Sequence, residues 1–177
     1  MQAGTTMLEV LVTIVIISIG LLGLAGLQSK LQVSEMEAYQ RSQALLLLDD
    51  MANRITINRT NAFNYVTNGY LGYGMDCPDA DATLDDKDAA EWCNALQGAA
   101  EISGGSRVGA MVGARGCVED IGGNEYLITI AWQGLTPIAA PPANLACGAN
   151  LYDGGTVCTN DRCRRTVTTI VRIGNLS

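Results

Sequence analysis

Apolar positions follow three successive patterns along this chain. From Val10 to Leu27 no charged residue and no proline occurs. An apolar run of about 18 residues extends about 27 Å as a helix, close to the thickness of a bilayer core. Beyond Leu27 the pattern turns amphipathic: Ala44, Leu48, Met51 and Ile55 recur at steps of four, three and four, which places them on one helix face. Glu35, Glu37, Gln40, Arg41, Gln43, Asp49, Asn53 and Arg54 take the other faces. No proline precedes Pro78 and no glycine falls between Gly26 and Gly69, so one helix is predicted over residues 5–58, about 80 Å long. Its first half is apolar all round and its second half is amphipathic. The first half suits lipid or a bundle of like helices, and the second suits packing on a domain. Gly20, Gly23 and Gly26 read as positions of close helix approach rather than as a weak spot, although each costs about 1 kcal/mol against alanine.

The third pattern begins at Arg59. Gly, Asn and Asp are dense up to Gly116 and indicate loops and turns. Asp88–Gln97 reads as a short helix with Asp88 as N-cap and Glu91 as its capping-box partner. The aspartates from Asp79 to Asp88 fail the EF-hand template, because Leu84 stands where the turn needs glycine and Ala90 where the bidentate glutamate belongs. They are expected to form a solvated acidic loop. Glu125–Gln133 is a predicted strand after a Gly122-Gly123-Asn124 turn, with Cys117–Ile121 as its hairpin partner. Arg165–Ile173 is another, with Val167, Ile170 or Val171, and Ile173 as its apolar positions. A loop rich in Pro, Gly and Cys joins the two main strands from Thr136 to Arg164. The fold class is α+β: a small antiparallel sheet packed on the amphipathic half of the long helix.

Charge and composition narrow the chemistry. The net charge is −7, which argues against a nucleic-acid partner, and the absence of histidine removes the commonest general base and metal ligand. No Gly-x-Ser-x-Gly and no distinctive carboxylate pair supports an exported enzyme, so neither catalysis nor a cofactor nor a metal is expected. All six cysteines follow residue 76, and no Cys-x-x-Cys occurs. That fits a disulfide framework in an oxidising compartment, with about 15 connectivities open. The sequential set Cys77–Cys93, Cys117–Cys147 and Cys158–Cys163 is preferred, and a Cys147–Cys163 link would exclude it. Met1–Gly4 is too short for a secretory n-region, and no Ala-x-Ala site follows the apolar run, which is therefore expected to be retained. The first basic residue, Lys30, lies beyond the run, so counting Lys and Arg would put the cysteines in the cytoplasm. The cysteines carry more weight, and a basic native start upstream of Met1 is expected.

Gly4-Thr-Thr-Met-Leu-Glu9 followed by a long apolar run resembles the type IV prepilin motif. The resemblance implies cleavage after Gly4, N-methylation of Thr5, and Glu9 as the glutamate five residues into the mature chain. Thr5 replaces the usual phenylalanine, and the leader lacks its usual basic residues. Leu48-Asp-Asp-Met-Ala-Asn-Arg-Ile-Thr-Ile-Asn-Arg59 is similar to the Asp-Met-Ala-Asp-Arg-Met-x-x-Asn-Arg stretch of PilV-type minor pilins. Arg115-Gly-Cys117, Tyr126–Gly134, Cys147-Gly148 and Arg164–Thr169 fall in that family's order. The segment 76–113 and the Cys158–Cys163 pair lie outside the resemblance.

It implies the type IV pilin fold: a residual leader over 1–4, a helix over 5–58 with a transmembrane half about 8–28, and a periplasmic globular domain over 59–177. It further implies a structural minor pilin that primes or caps pilus assembly, held in the inner membrane before assembly and on the pilus afterwards. The implied partners are other minor pilins and the major pilin through the helix, the prepilin peptidase/methylase and the inner-membrane assembly platform. A minor pseudopilin of type II secretion shares the cleavage motif and the helix and is the alternative. On this reading Glu9, one helical turn from the new Thr5 amine, fixes axial register, because an unpaired carboxylate is costly in low dielectric.

Overall fold

The computed structural model describes residues 6–80, 83–98, 102–103, 106–107 and 111–174. Helix α1 spans Met7–Ile57 and crosses two compact units, one ending at Ala38 and the other starting at Tyr39. The second unit holds every other element. With no glycine after Gly26 and no proline, α1 runs to Asn58, whose backbone leaves the helical region (φ −97°, ψ 39°). A 3-10 helix over Arg59–Tyr65 follows.

The face expected to be buried is buried: Ala44, Leu48, Met51 and Ile55 lie in the main core. Gln40, expected on an outer face, is buried as well, because it extends the same stripe one turn toward the N-terminus. Fully burying each larger residue of this stripe is worth at most about 1.5–3 kcal/mol.

Helix α2 spans Leu84–Leu96, so the short helix starts four residues earlier than expected. Thr83, not Asp88, is its N-cap: the Thr83 hydroxyl accepts from the Asp86 N–H, and the Asp86 carboxylate accepts from the Thr83 N–H. The acidic stretch is thus largely helix rather than loop. Asp85 and Asp86 favour the positive N-terminal end, and Asp88 is buried. Asp81 lies outside the described residues. Gly98, at φ 82°, ends the helix in the left-handed conformation open to glycine.

The main sheet has the order β1 (Leu71–Gly72), β4 (Arg115–Gly122), β5 (Glu125–Gln133), β6 (Arg164–Arg172), antiparallel throughout. A separate two-stranded ribbon pairs β2 (Ile102–Ser103) with β3 (Ser106–Arg107). The β4–β5 hairpin turns through Gly123 and Asn124, both at positive φ (65° and 59°), which suits the twist of the flanking strands. One sheet face presents Val118, Ile128, Ile130 and Trp132 to the stripe of α1. On β6 it is Val171 that turns to this face, while Ile170 is exposed. The opposite face carries Cys117 and Ala131 under the long loop that bears Cys147 and Tyr152.

The three disulfides are Cys77–Cys93, Cys117–Cys147 and Cys158–Cys163, the sequential set. They tie the segment after β1 to α2, β4 to the long loop, and the end of that loop to itself.

Trp92 of α2 fills the space between helix and sheet and donates from Nε1 to the Leu47 carbonyl at 2.9 Å. Gly116 on β4 is the consequence, since a Cβ there would lie 2.2 Å from the Trp92 ring. Gly116→Ala is therefore expected to destabilise the domain by about 1–3 kcal/mol through overpacking. A lowered urea midpoint in tryptophan fluorescence checks it, and an unchanged midpoint would show that the indole can move aside.

Candidate functional site: an uncovered apolar helix

Within the first unit, α1 is helical from Met7, with the Glu9 and Val10 amides both directed at the Thr6 carbonyl. From Val10 to Ser29 no charge interrupts it, about 20 residues or about 30 Å. None of its apolar window is buried, and by length and composition it can cross a membrane. The two hydroxyls between Val10 and Leu27 are satisfied internally: Thr13 donates to the Val10 carbonyl at 2.8 Å and Ser18 to the Ile14 carbonyl at 2.7 Å. Neither of them needs water as a partner.

Magnitudes decide what must happen to this surface. About a dozen large apolar side chains between Val10 and Leu27 are exposed. At about 1.5–3 kcal/mol each, moving them out of water is worth on the order of 20 kcal/mol. A buried carboxylate costs about 2.5–3.5 kcal/mol on insertion scales, so Glu9 cannot keep the helix out of an apolar phase. Glu9 sits in the first turn of α1. Gly4 and Thr5, the expected cleavage and methylation residues, lie outside the described residues. A Cβ at Gly20, Gly23 or Gly26 would meet nothing within 4 Å.

The second unit grips the other half of α1 through a charged node. Arg54 donates to Asp50 at 2.9 Å, to Asp88 of α2 at 2.6 Å and to Glu91 at 2.9 Å. The Tyr65 hydroxyl donates to the other Asp88 oxygen at 2.5 Å and receives Asn58 Nδ2 at 3.1 Å. Burial, and then the bond to Asp88, push the Tyr65 pKa up to about 12. For Arg54 burial alone would lower the pKa, but its bonds to Glu91, Asp50 and Asp88 outweigh this and raise it. The node fixes α2 and the 3-10 helix against the end of α1.

On the opposite sheet face Arg115 lies among three tyrosines, with ring centroids of Tyr70, Tyr73 and Tyr152 at 5.0, 5.4 and 4.9 Å. Burial pushes the Tyr152 pKa up to about 12, against the pull of Arg115. Beside the Cys117–Cys147 bridge is a cavity of about 270 Å³, lined among others by Thr67, Tyr70, Glu119 and Cys147. One Glu119 oxygen is buried there without a hydrogen-bond partner. Among the described residues, no group of three His, Cys, Asp or Glu is placed to hold a metal ion.

Arg54, Asp88 and Arg115 were not singled out from the sequence as working residues. Their partners lie far along the chain, and periodicity reports only which face a residue occupies. The one available signal was Asp88 itself, an aspartate at core spacing from Trp92.

The long apolar helix packed through its C-terminal half on a four-stranded antiparallel sheet is a pilin-like architecture. No family model, curated protein or solved structure matches the chain in comparisons with known proteins.

Proposed function

We propose that the chain is a structural minor pilin: cleaved after Gly4, N-methylated on Thr5, anchored in the inner membrane by residues 8–28, and then drawn into a filament or its priming complex. The observation that carries this reading is the uncovered apolar half of α1, continuous with a half that is locked into a disulfide-bonded domain. The disulfides support an extracytoplasmic domain.

Glu9 is the registration group on this reading. In the assembled bundle its carboxylate pairs with the Thr5 amine, its own or a neighbour's. Glu9→Gln leaves that amine unpaired in low dielectric, a cost of several kcal/mol that corresponds to more than a tenfold loss of incorporation. Cleavage and methylation are expected to proceed normally. Immunoblots of the membrane fraction and of sheared pili check both halves. Normal piliation by Glu9→Gln refutes the role, and a deletion that abolishes exoprotein secretion but leaves pili intact would assign the chain to the pseudopilins instead.

A further inference from the structure

On the outer sheet face one carboxylate is held in an apolar setting without a counter-charge. Glu119 follows Cys117 by two on β4, so the two share a face, and Leu127 stands opposite Glu119 on β5. Glu119 lines the open cavity of about 270 Å³ beside the Cys117–Cys147 bridge. Tyr70, Ala146, Ala149, Leu151 and the bridge itself supply apolar walls, and no other lining residue is charged. Oε2 of Glu119 is out of reach of solvent and accepts no hydrogen bond among the described residues. Burying an acceptor in that way costs free energy that a donor would return. The nearest donors are committed elsewhere. The Thr67 hydroxyl donates to the Gly69 carbonyl at 3.1 Å and accepts the Val118 N–H at 3.1 Å. Arg115, also on β4, lies over the Tyr70 ring, and its Nη1 donates to the Gly113 carbonyl at 3.2 Å. Among the described residues, no lysine or arginine forms an ion pair with Glu119.

Three kinds of cation can answer a carboxylate, and the geometry separates them. A divalent metal takes about six to eight oxygen ligands, and among the described residues no group of three His, Cys, Asp or Glu is placed to hold one. A guanidinium pairs best with both carboxylate oxygens at once, and here one of them is buried. A primary ammonium is a compact point donor that needs only one. Because a carboxylate shares its charge between both oxygens, a cation at the reachable one also offsets the desolvation of the other. The apolar walls suit methylene groups, whose removal from water adds to the affinity. We propose that the cavity beside Cys117–Cys147 binds a primary ammonium on a short alkyl chain, with Glu119 as its counter-ion. The source is a free alkylamine or a lysine side chain presented by another polypeptide. The cavity belongs to the disulfide-bonded unit, and binding there does not depend on the role proposed for the N-terminal helix.

The probes are butylammonium and Nα-acetyl-lysine amide, with butanol, butylguanidinium and Ca²⁺ as controls, added to the full chain in detergent micelles. Backbone amide chemical shifts report both affinity and location. At least one ammonium probe is expected to saturate with a dissociation constant on the order of millimolar, shifting the amides of 117–119 and 146–151. Butanol, equally long but uncharged, should bind about tenfold more weakly, or worse, and so should that probe to Glu119→Gln. Circular dichroism checks the fold of the variant, and the comparison of butylammonium or the lysine amide with butanol on the unaltered chain decides the matter even if the variant misfolds. Tighter binding of the lysine amide makes a lysine side chain the source, and tighter binding of butylammonium makes it a free amine. No saturable shift with either ammonium probe, equal binding of butanol, unchanged affinity in a folded Glu119→Gln, or tighter binding of butylguanidinium or Ca²⁺ would each overturn the proposal.

Discussion

Arg164→Ala is expected to cost the disulfide-bonded unit about 3–5 kcal/mol, the usual consequence of breaking a buried ion pair by removing one partner. Arg164 is 2% exposed and works as a peg for the long loop between β5 and β6. Its Nε and Nη2 both meet Asp161 Oδ2 at 2.6 Å, and Nη1 donates to the carbonyls of Leu145 at 2.7 Å and Cys147 at 2.9 Å. Asp161 is committed in turn, its other oxygen accepting the Asn150 N–H and its own N–H reaching Asp153. Alanine leaves a buried carboxylate and two carbonyls without their donor. Lysine keeps the charge but not the planar fork, so Arg164→Lys should lie between wild type and alanine. Urea unfolding gives the loss, and limited proteolysis should show first cleavage within 145–161. A loss below about 1 kcal/mol would mean that the loop is held by its disulfides alone.

The second large effect concerns Cys117–Cys147. Its bridge closes a separation of 30 residues, against 16 for Cys77–Cys93 and 5 for Cys158–Cys163. In the chain-entropy model the paired Cys→Ser replacements should cost about 3.6, 3.1 and 2.1 kcal/mol in that order. Cys117 also packs with Ala131, Cys147 and Tyr152 under the loop, so its replacement should exceed the entropic figure. Unfolding of the three double-serine variants tests the ranking. Equal losses would show that native packing, not ring length, sets the stabilisation.

How much of this was legible beforehand depended on the range of the interaction. The stripe Ala44, Leu48, Met51, Ile55 announces itself because helix geometry turns a spacing of three and four into a face. Strands β5 and β6 do so through β-branched density, and the hairpin through Gly123-Asn124. The start of α2 did not, because Asp88 imitates a cap in a stretch where the side chain is needed to hold Arg54. The two-residue β1, half of it glycine, carries no pattern at all. Arg164 lies in a strand whose alternation says which face it takes but not that Asp161, Leu145 and Cys147 are waiting there. The functional helix is legible for a different reason: its surface is written for surroundings that the chain does not itself supply.

That surface is the centre of the account, and the processed N-terminus tests it most directly. Purified from the membrane of its native host, the mature chain should give N-methylated threonine at Thr5 by mass spectrometry and end-group sequencing, with nothing remaining upstream. A membrane-bound chain that still carries Met1–Gly4, or one cut anywhere other than after Gly4, would contradict it.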